Sequence, residues 1–243
     1  MVTAIIPARF ASTRLPGKPL IEIAGKPMIR HVCENVARAE RVERVIVATD
    51  DDRIAETVRE GGCEAIMTSP DLPSGTDRIA AAADELGIEG MILNVQGDEP
   101  MIDPDVIDRV IERFTESDAD CATPVVQITR RAHLFDPDTP KVVLRNDNHA
   151  LYFSRTPIPY LRDREAEEWM DAHTYHRHVG LYLYRSEALR RFVAASPTPV
   201  EQAEQLEQLR MLDIGLSILC VEVEYEGQAV DSAEDVMRVE GSL

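Results

Sequence analysis

The segment IIPARFASTRLPGKPL, residues 5–20, places Arg9, Arg14 and Lys18 in a loop behind a short apolar run, with Gly17, Pro16 and Pro19 shaping its backbone. An arginine fork and a mobile lysine charge are the donors a phosphate group needs. A solvated basic loop is the plain alternative. Gly17-Lys18 is followed by Pro19, which excludes GxxxxGK[ST], and no GxGxxG occurs, so neither the ordinary P-loop nor the dinucleotide fingerprint is present. A second block, Asn94-Val95-Gln96-Gly97-Asp98-Glu99-Pro100, sets a carboxylate just beyond an apolar run, where Gly97 permits a tight turn. A carboxylate in such a place can begin a Mg²⁺ site, because that ion takes hard oxygen ligands and often only one or two from the protein. A turn residue before Pro100 is the competing reading. Asp231, in Val230-Asp231-Ser232-Ala233-Glu234-Asp235, reads locally as a helix start. Ser74 and Thr76, in Pro73-Ser74-Gly75-Thr76-Asp77-Arg78, read as caps of a following helix, whose free N–H groups also suit polar ligand atoms.

These residues need a frame. Strand-type runs at 3–7, 44–49, 64–67 and 91–96 alternate with helical patterns at 27–40, 52–61, 74–86 and 104–116. Such βαβ alternation predicts an α/β, Rossmann-like fold, with a mainly parallel twisted sheet, helices on both faces, and ligands at the carboxyl ends of the strands. From Cys121 the pattern changes. Strands are expected at 121–127, 141–144, 149–153 and 178–184, with a charged loop at 161–171, which predicts an antiparallel inserted arm at about 141–184. Helices follow at 186–195 and 200–212, a strand at 216–222 and a terminal helix after Asp231. No repeat or linker interrupts the chain, so residues 1–243 are expected to form one domain.

The loop string resembles the signature of the sugar nucleotidyltransferases, and within them the cytidylyltransferases that act on eight-carbon acidic sugars. VQGDEP, residues 95–100, matches the family's metal-binding block, and the segment 73–78 resembles one that lines its nucleotide pocket, although the family more often has glutamate where Asp77 stands. The resemblance, which runs over nearly the whole chain, implies transfer of CMP from CTP to 3-deoxy-D-manno-octulosonate (Kdo) for lipopolysaccharide-type synthesis. It implies catalytic roles for Arg9, Lys18, Asp98 and Asp231, with Mg²⁺ on Asp98 and Asp231. It implies nucleotide contacts from Pro7, Ala8, Arg9, Arg14, Lys18, Ser74, Gly75, Arg78, Gln96 and Asp98. The acidic sugar would meet Gln96, Arg155, His178, Tyr182, Glu207 and Gln208, a set able to pair with a carboxylate and to bind hydroxyls. Each has an ordinary alternative as a core, interface or helix-face residue. The resemblance further implies a homodimer through the insertion. Rival readings are a cytidylyltransferase for another acidic sugar, such as 8-amino-Kdo, an enzyme of the spore-coat-polysaccharide type, and a non-catalytic nucleotide-sugar-binding protein.

Composition sets the outer bounds. A net charge of -18 argues against a nucleic-acid partner, which needs a cationic footprint. Screening over ~8 Å still lets a local cation cluster hold an anion. Cys33, Cys63, Cys121 and Cys220 lie far apart with no CxxC pair, which suggests free thiols and a cytoplasmic protein. No apolar stretch is long enough to span a bilayer.

Overall fold

The apolar run Val2–Ala8 forms strand β1, in which every residue except Pro7 is buried. A strand covered on both faces needs that near-continuous apolar character. Ile5 and Ile6 are both 0% exposed, and their burial contributes about 1.5–3 kcal/mol each. The computed structural model describes residues 1–11, 15–227, 229–230 and 232–241, so the expectations for Arg14 and Asp231 lie outside the described residues.

After β1 come the hairpin β2 (Glu22–Ile23) and β3 (Lys26–Pro27), then α1 (Met28–Ala37), β4 (Arg44–Thr49), α2 (Asp52–Glu60), β5 (Glu64–Met67), α3 (Gly75–Glu85), β6 (Met91–Asn94) and α4 (Pro104–Thr115). Next are β7 (Cys121–Gln127), α5 (Arg131–Phe135), β8 (Lys141–Leu144), β9 (Ala150–Ser154), α6 (Trp169–Ala172), β10 (His176–His178) and β11 (Tyr182–Arg185). The chain ends with α7 (Ser186–Ala194), α8 (Pro199–Glu204), α9 (Gln208–Asp213), β12 (Ile218–Glu222) and α10 (Ala233–Glu240).

The main sheet has the order β5-β4-β1-β6-β11-β7-β10-β8-β9, with β12 pairing β7 on its other edge. β5, β4, β1 and β6 run parallel, as βαβ crossovers require. Side chains of β1 alternate between two cores. Ala4, Ile6 and Ala8 pack with α1 and α4 residues such as Val32 and Ile107, while Ile5 packs with Ile79 of α3 and Phe192 of α7. The predicted α/β sheet with helices on both faces is the observed fold.

The later strands depart from expectation in instructive ways. The single strand expected at 178–184 is two, because Leu181 N–H turns back to the Val179 carbonyl and ends β10. β11 then runs between β6 and β7, so it belongs to the centre of the sheet and not to an arm. β8 and β9 extend the same sheet, leaving β9 outermost. The helix expected at 200–212 breaks into α8 and α9 at Gln205, whose φ of 53° is left-handed. The charged loop at 161–171 is held down by Trp169, which packs with Ile128, Leu134 and Tyr175.

Candidate active site

The loops that leave β1, β5 and β6 meet at the carboxyl edge of the sheet. A Cβ on Gly75 would lie 3.3 Å from Pro7 Cγ and 4.0 Å from Gln96 Oε1, and a Cβ on Gly97 would lie 2.9 Å from the Pro7 carbonyl. The glycine of the VQGDEP block is therefore required by close backbone approach, and three separate sequence blocks share one floor.

Above that floor, the basic loop is closed by Gly17 N–H donating to the Phe10 carbonyl, with Gly17 at φ 69°. The Phe10 ring carries the Arg53 guanidinium 3.5 Å from its centroid. The short 3₁₀ turn Lys18–Leu20 follows, and Lys18 Nζ reaches Asp98 Oδ2 at 2.6 Å. Both side chains are largely shielded, at 12% and 30% exposure, so the pair sits in the site and not in bulk solvent. Arg9 stands exposed directly after Ala8. The Asp98 carbonyl accepts from Val230 N–H at 2.9 Å. That bond brings the chain adjoining position 231 to Asp98 from more than a hundred residues away.

Ser74 caps α3: its hydroxyl accepts from Asp77 N–H and donates to Asp77 Oδ2. The helix N-terminus faces the Pro7–Gln96 floor, where its free N–H groups suit an anion. Arg78 takes another path. Its side chain is 1% exposed, and its guanidinium donates to Thr68 Oγ1 and to Asp50 Oδ2 at 3.0 Å. It braces the ends of β4 and β5 under the site, so a direct nucleotide contact from this guanidinium is not what the structure presents.

A second group of polar side chains lies beside the floor. Gln96 Nε2 donates to Asn94 Oδ1 at 3.0 Å. Thr76 Oγ1, in the first turn of α3, donates to Glu207 Oε2 at 2.7 Å. Burial above all, then the neighbouring Cys121 and Glu207, raises the Tyr182 hydroxyl well above its ordinary pKa. The His178 ring lies 5.2 Å from that of Tyr182, centroid to centroid, and edge-on to Phe153. Among the described residues, His178 Nε2, Tyr182 Oη and Gln208 Nε2 are buried polar atoms without a hydrogen-bond partner. Such atoms are costly unless a ligand engages them. Burial, then the Arg177 charge, push His178 down to about 3, so its ring is neutral and can accept as well as donate.

Arg155 is not in this group. Its Nε donates to the Glu204 carbonyl at 2.6 Å, and its two terminal nitrogens donate to the carbonyls of Pro137 and Gln205. Its guanidinium bonds to backbone carbonyls pin β9 to the end of α8. Thr76 and Asn94 were not legible as site residues, because one reads as a helix cap and the other as the end of a buried strand.

The chemistry of this edge is that of a nucleotidyltransferase: a cationic loop, a carboxylate on a glycine turn and a helix N-terminus converge at the carboxyl ends of parallel strands. A family model described as cytidylyltransferase matches residues 3–218. The 3-deoxy-manno-octulosonate cytidylyltransferase of Geobacter sulfurreducens is 48% identical over 98% of this chain and 97% of its own. That of Porphyromonas gingivalis is 43% identical over 97% of this chain and 93% of its own. A solved structure of CMP:2-keto-3-deoxy-manno-octonic acid synthetase complexed with CTP matches with a TM-score of 0.93 at 39% identity, covering 99% of this chain and 97% of that one. The chain belongs to the cytidylyltransferase family, in its branch of 3-deoxy-manno-octulosonate cytidylyltransferases.

Proposed function

We propose that this protein transfers CMP from CTP to the anomeric hydroxyl of Kdo, releasing pyrophosphate, and that it uses Mg²⁺ held by Asp98 and Asp231. The observation that carries the reading is the contact of Lys18 with Asp98 on the floor shared by Pro7, Gly75 and Gln96. Family membership supports the two substrates, since relatives so named match this chain end to end.

The residues divide the work by charge. Lys18 and Arg9, with Arg14 on the same loop, offset the triphosphate charge, and the N-terminus of α3 adds oriented N–H donors. Gln96, His178, Tyr182, Glu207 and Gln208 supply donors and acceptors for a polyhydroxylated acid, and three of them hold buried polar atoms that a sugar hydroxyl can satisfy. Positioning the hydroxyl in line with the α-phosphate is the main catalytic contribution of these side chains. Asp98 fits a Mg²⁺ ligand because it is a hard oxygen donor, partly exposed, at the phosphate loop. The bound ion supplies Lewis-acid polarisation of the phosphate and lowers the pKa of the attacking hydroxyl.

We further propose a cytoplasmic homodimer. β9 is the outermost strand and bears the exposed Leu151 and Tyr152, with Tyr160 beyond them 72% exposed. Unpaired strand edges with apolar side chains invite a second copy. A monomeric mass by light scattering at micromolar concentration removes this part of the proposal. For the reaction, purified protein with Mg²⁺, CTP and Kdo is expected to release pyrophosphate at a rate that vanishes on chelation. Release that survives complete Mg²⁺ removal argues against the metal assignment.

A further inference from the structure

Two hydrogen bonds tie the segment beyond β12 to the turn that carries Asp98. Tyr225 Oη donates to Glu99 Oε2 at 3.1 Å, and Val230 N–H donates to the Asp98 carbonyl at 2.9 Å. Glu99 and Tyr225 are 8% and 7% exposed, so the first of these bonds is made out of water. Arg177 clamps the same segment by donating to the Tyr225 carbonyl at 2.6 Å. Gly227 folds back over the ring so closely that a Cβ there would stand 2.0 Å from Tyr225 Oη. Gly180, in the turn between β10 and β11, closes the other side, its absent Cβ lying 3.6 Å from Glu99 Oε1. Next to this strap is a cavity of about 1330 Å³, bordered by Met101, Tyr225, Gly227, Ala229 and Val239. Tyr225 and Val230 are packed as well as bonded, at 7% and 0% exposure, and the bonds add direction to that packing.

We infer that Tyr225 and Glu99 are positioning residues for the metal site. They hold the turn that carries Asp98 against the segment that ends at Val230. This rests on the reading of Asp98 and Asp231 as Mg²⁺ ligands. Two carboxylates from distant parts of the chain repel each other, and bringing both to one ion costs ordering of the backbone that carries them. Anchors at Tyr225 and Val230 meet part of that cost during folding, so the ion meets a preorganised Asp98 turn. Neither residue touches the substrate in this role. Tyr225 acts through Glu99 on the turn that carries Asp98.

The test uses full-length protein and the variant Tyr225→Phe, which keeps the ring and removes the donor. The Mg²⁺ concentration for half-maximal pyrophosphate release is expected to rise roughly five- to tenfold, the weight of one lost hydrogen bond. The KM for CTP at saturating Mg²⁺ is expected to move less than twofold. In metal-free protein, hydrogen exchange at the Val230 amide is expected to accelerate by a similar factor, a readout independent of turnover. An unchanged half-saturation and an unchanged Val230 exchange in folded Tyr225→Phe overturn the inference. If that variant does not fold, Glu99→Leu and Glu99→Gln decide: both remove the carboxylate, but only glutamine keeps an acceptor for the tyrosine hydroxyl. Leucine is expected to shift half-saturation at least fivefold and glutamine clearly less; equal shifts overturn the inference. Asp98→Asn, run alongside, separates the two failures. Normal Mg²⁺ dependence in that variant removes the metal assignment itself. Lost dependence there, with a wild-type Tyr225→Phe, removes the strap alone.

Discussion

Lys18 Nζ lies 2.6 Å from Asp98 Oδ2, which couples the phosphate loop to the carboxylate turn across eighty residues of sequence. The two opposite charges attract across this contact. In the proposed function the Lys18 ammonium is the group that a triphosphate would engage. Lys18→Ala is therefore expected to raise the KM for CTP at least tenfold, since a hydrogen bond to a charged group contributes about 1.5–3 kcal/mol. Steady-state kinetics in CTP checks this, and an unaltered KM contradicts the loop's role. Asp98→Asn is expected to lower kcat by roughly 10²–10³ with little change in melting temperature.

Thr76 holds Glu207 by a bond of 2.7 Å, and Thr76 itself is 4% exposed. Thr76→Val keeps the shape and removes the donor, leaving Glu207 free to turn. The KM for the acidic sugar is expected to rise about five- to tenfold, the effect of losing roughly 1 kcal/mol, while that for CTP stays within twofold. Equal effects on both substrates indicate general damage to α3 instead.

His178 ties the stability of the fold to pH. Its Nε2 is shielded from solvent although the residue as a whole is partly exposed, and burial pushes its pKa down to about 3. The unfolded chain binds a proton at this residue near pH 6.5 and the folded protein does not, so stability is full above that value and falls as pH drops toward 3. Between pH 6.5 and 5 the loss attributable to this residue is about 2 kcal/mol. Urea unfolding of wild type and His178→Gln at pH 7.5 and 5 measures it. Wild type is expected to lose more than the variant, and parallel losses refute the assignment.

Arg78 and Asp50 form a shielded pair beneath the ends of β4 and β5, with exposures of 1% and 13%. Removing one partner leaves an uncompensated charge, so Asp50→Ala is expected to destabilise the fold by about 3–5 kcal/mol, and Asp50→Asn by less, because an amide oxygen still accepts from the guanidinium. Thermal or urea unfolding checks the order of the two variants.

Much of this architecture is legible in the sequence because its signals are local. The alternation of apolar runs and helical stripes through residue 116 sets the parallel half of the sheet, and the turn at Gly97 marks the carboxylate block. What local pattern does not carry is pairing across distance. Nothing in Tyr182–Arg185 says that this strand lies between β6 and β7, because a buried strand looks the same in either place. Arg78 and Arg155 have the chemistry of ligand contacts, and only their neighbours, Asp50 and the carbonyls of Pro137, Glu204 and Gln205, show that they also brace the frame. Tyr225 carries no motif at all, and its bond to Glu99 appears only once the chain has folded.

Incubation of the purified protein with Mg²⁺, each nucleoside triphosphate in turn, and Kdo, with pyrophosphate release and the mass of the sugar product as readouts, tests the transfer of CMP to Kdo. Release is expected with CTP above all other triphosphates, with a product of the mass of CMP-Kdo. No release from CTP plus Kdo, or equal release without the sugar, contradicts it.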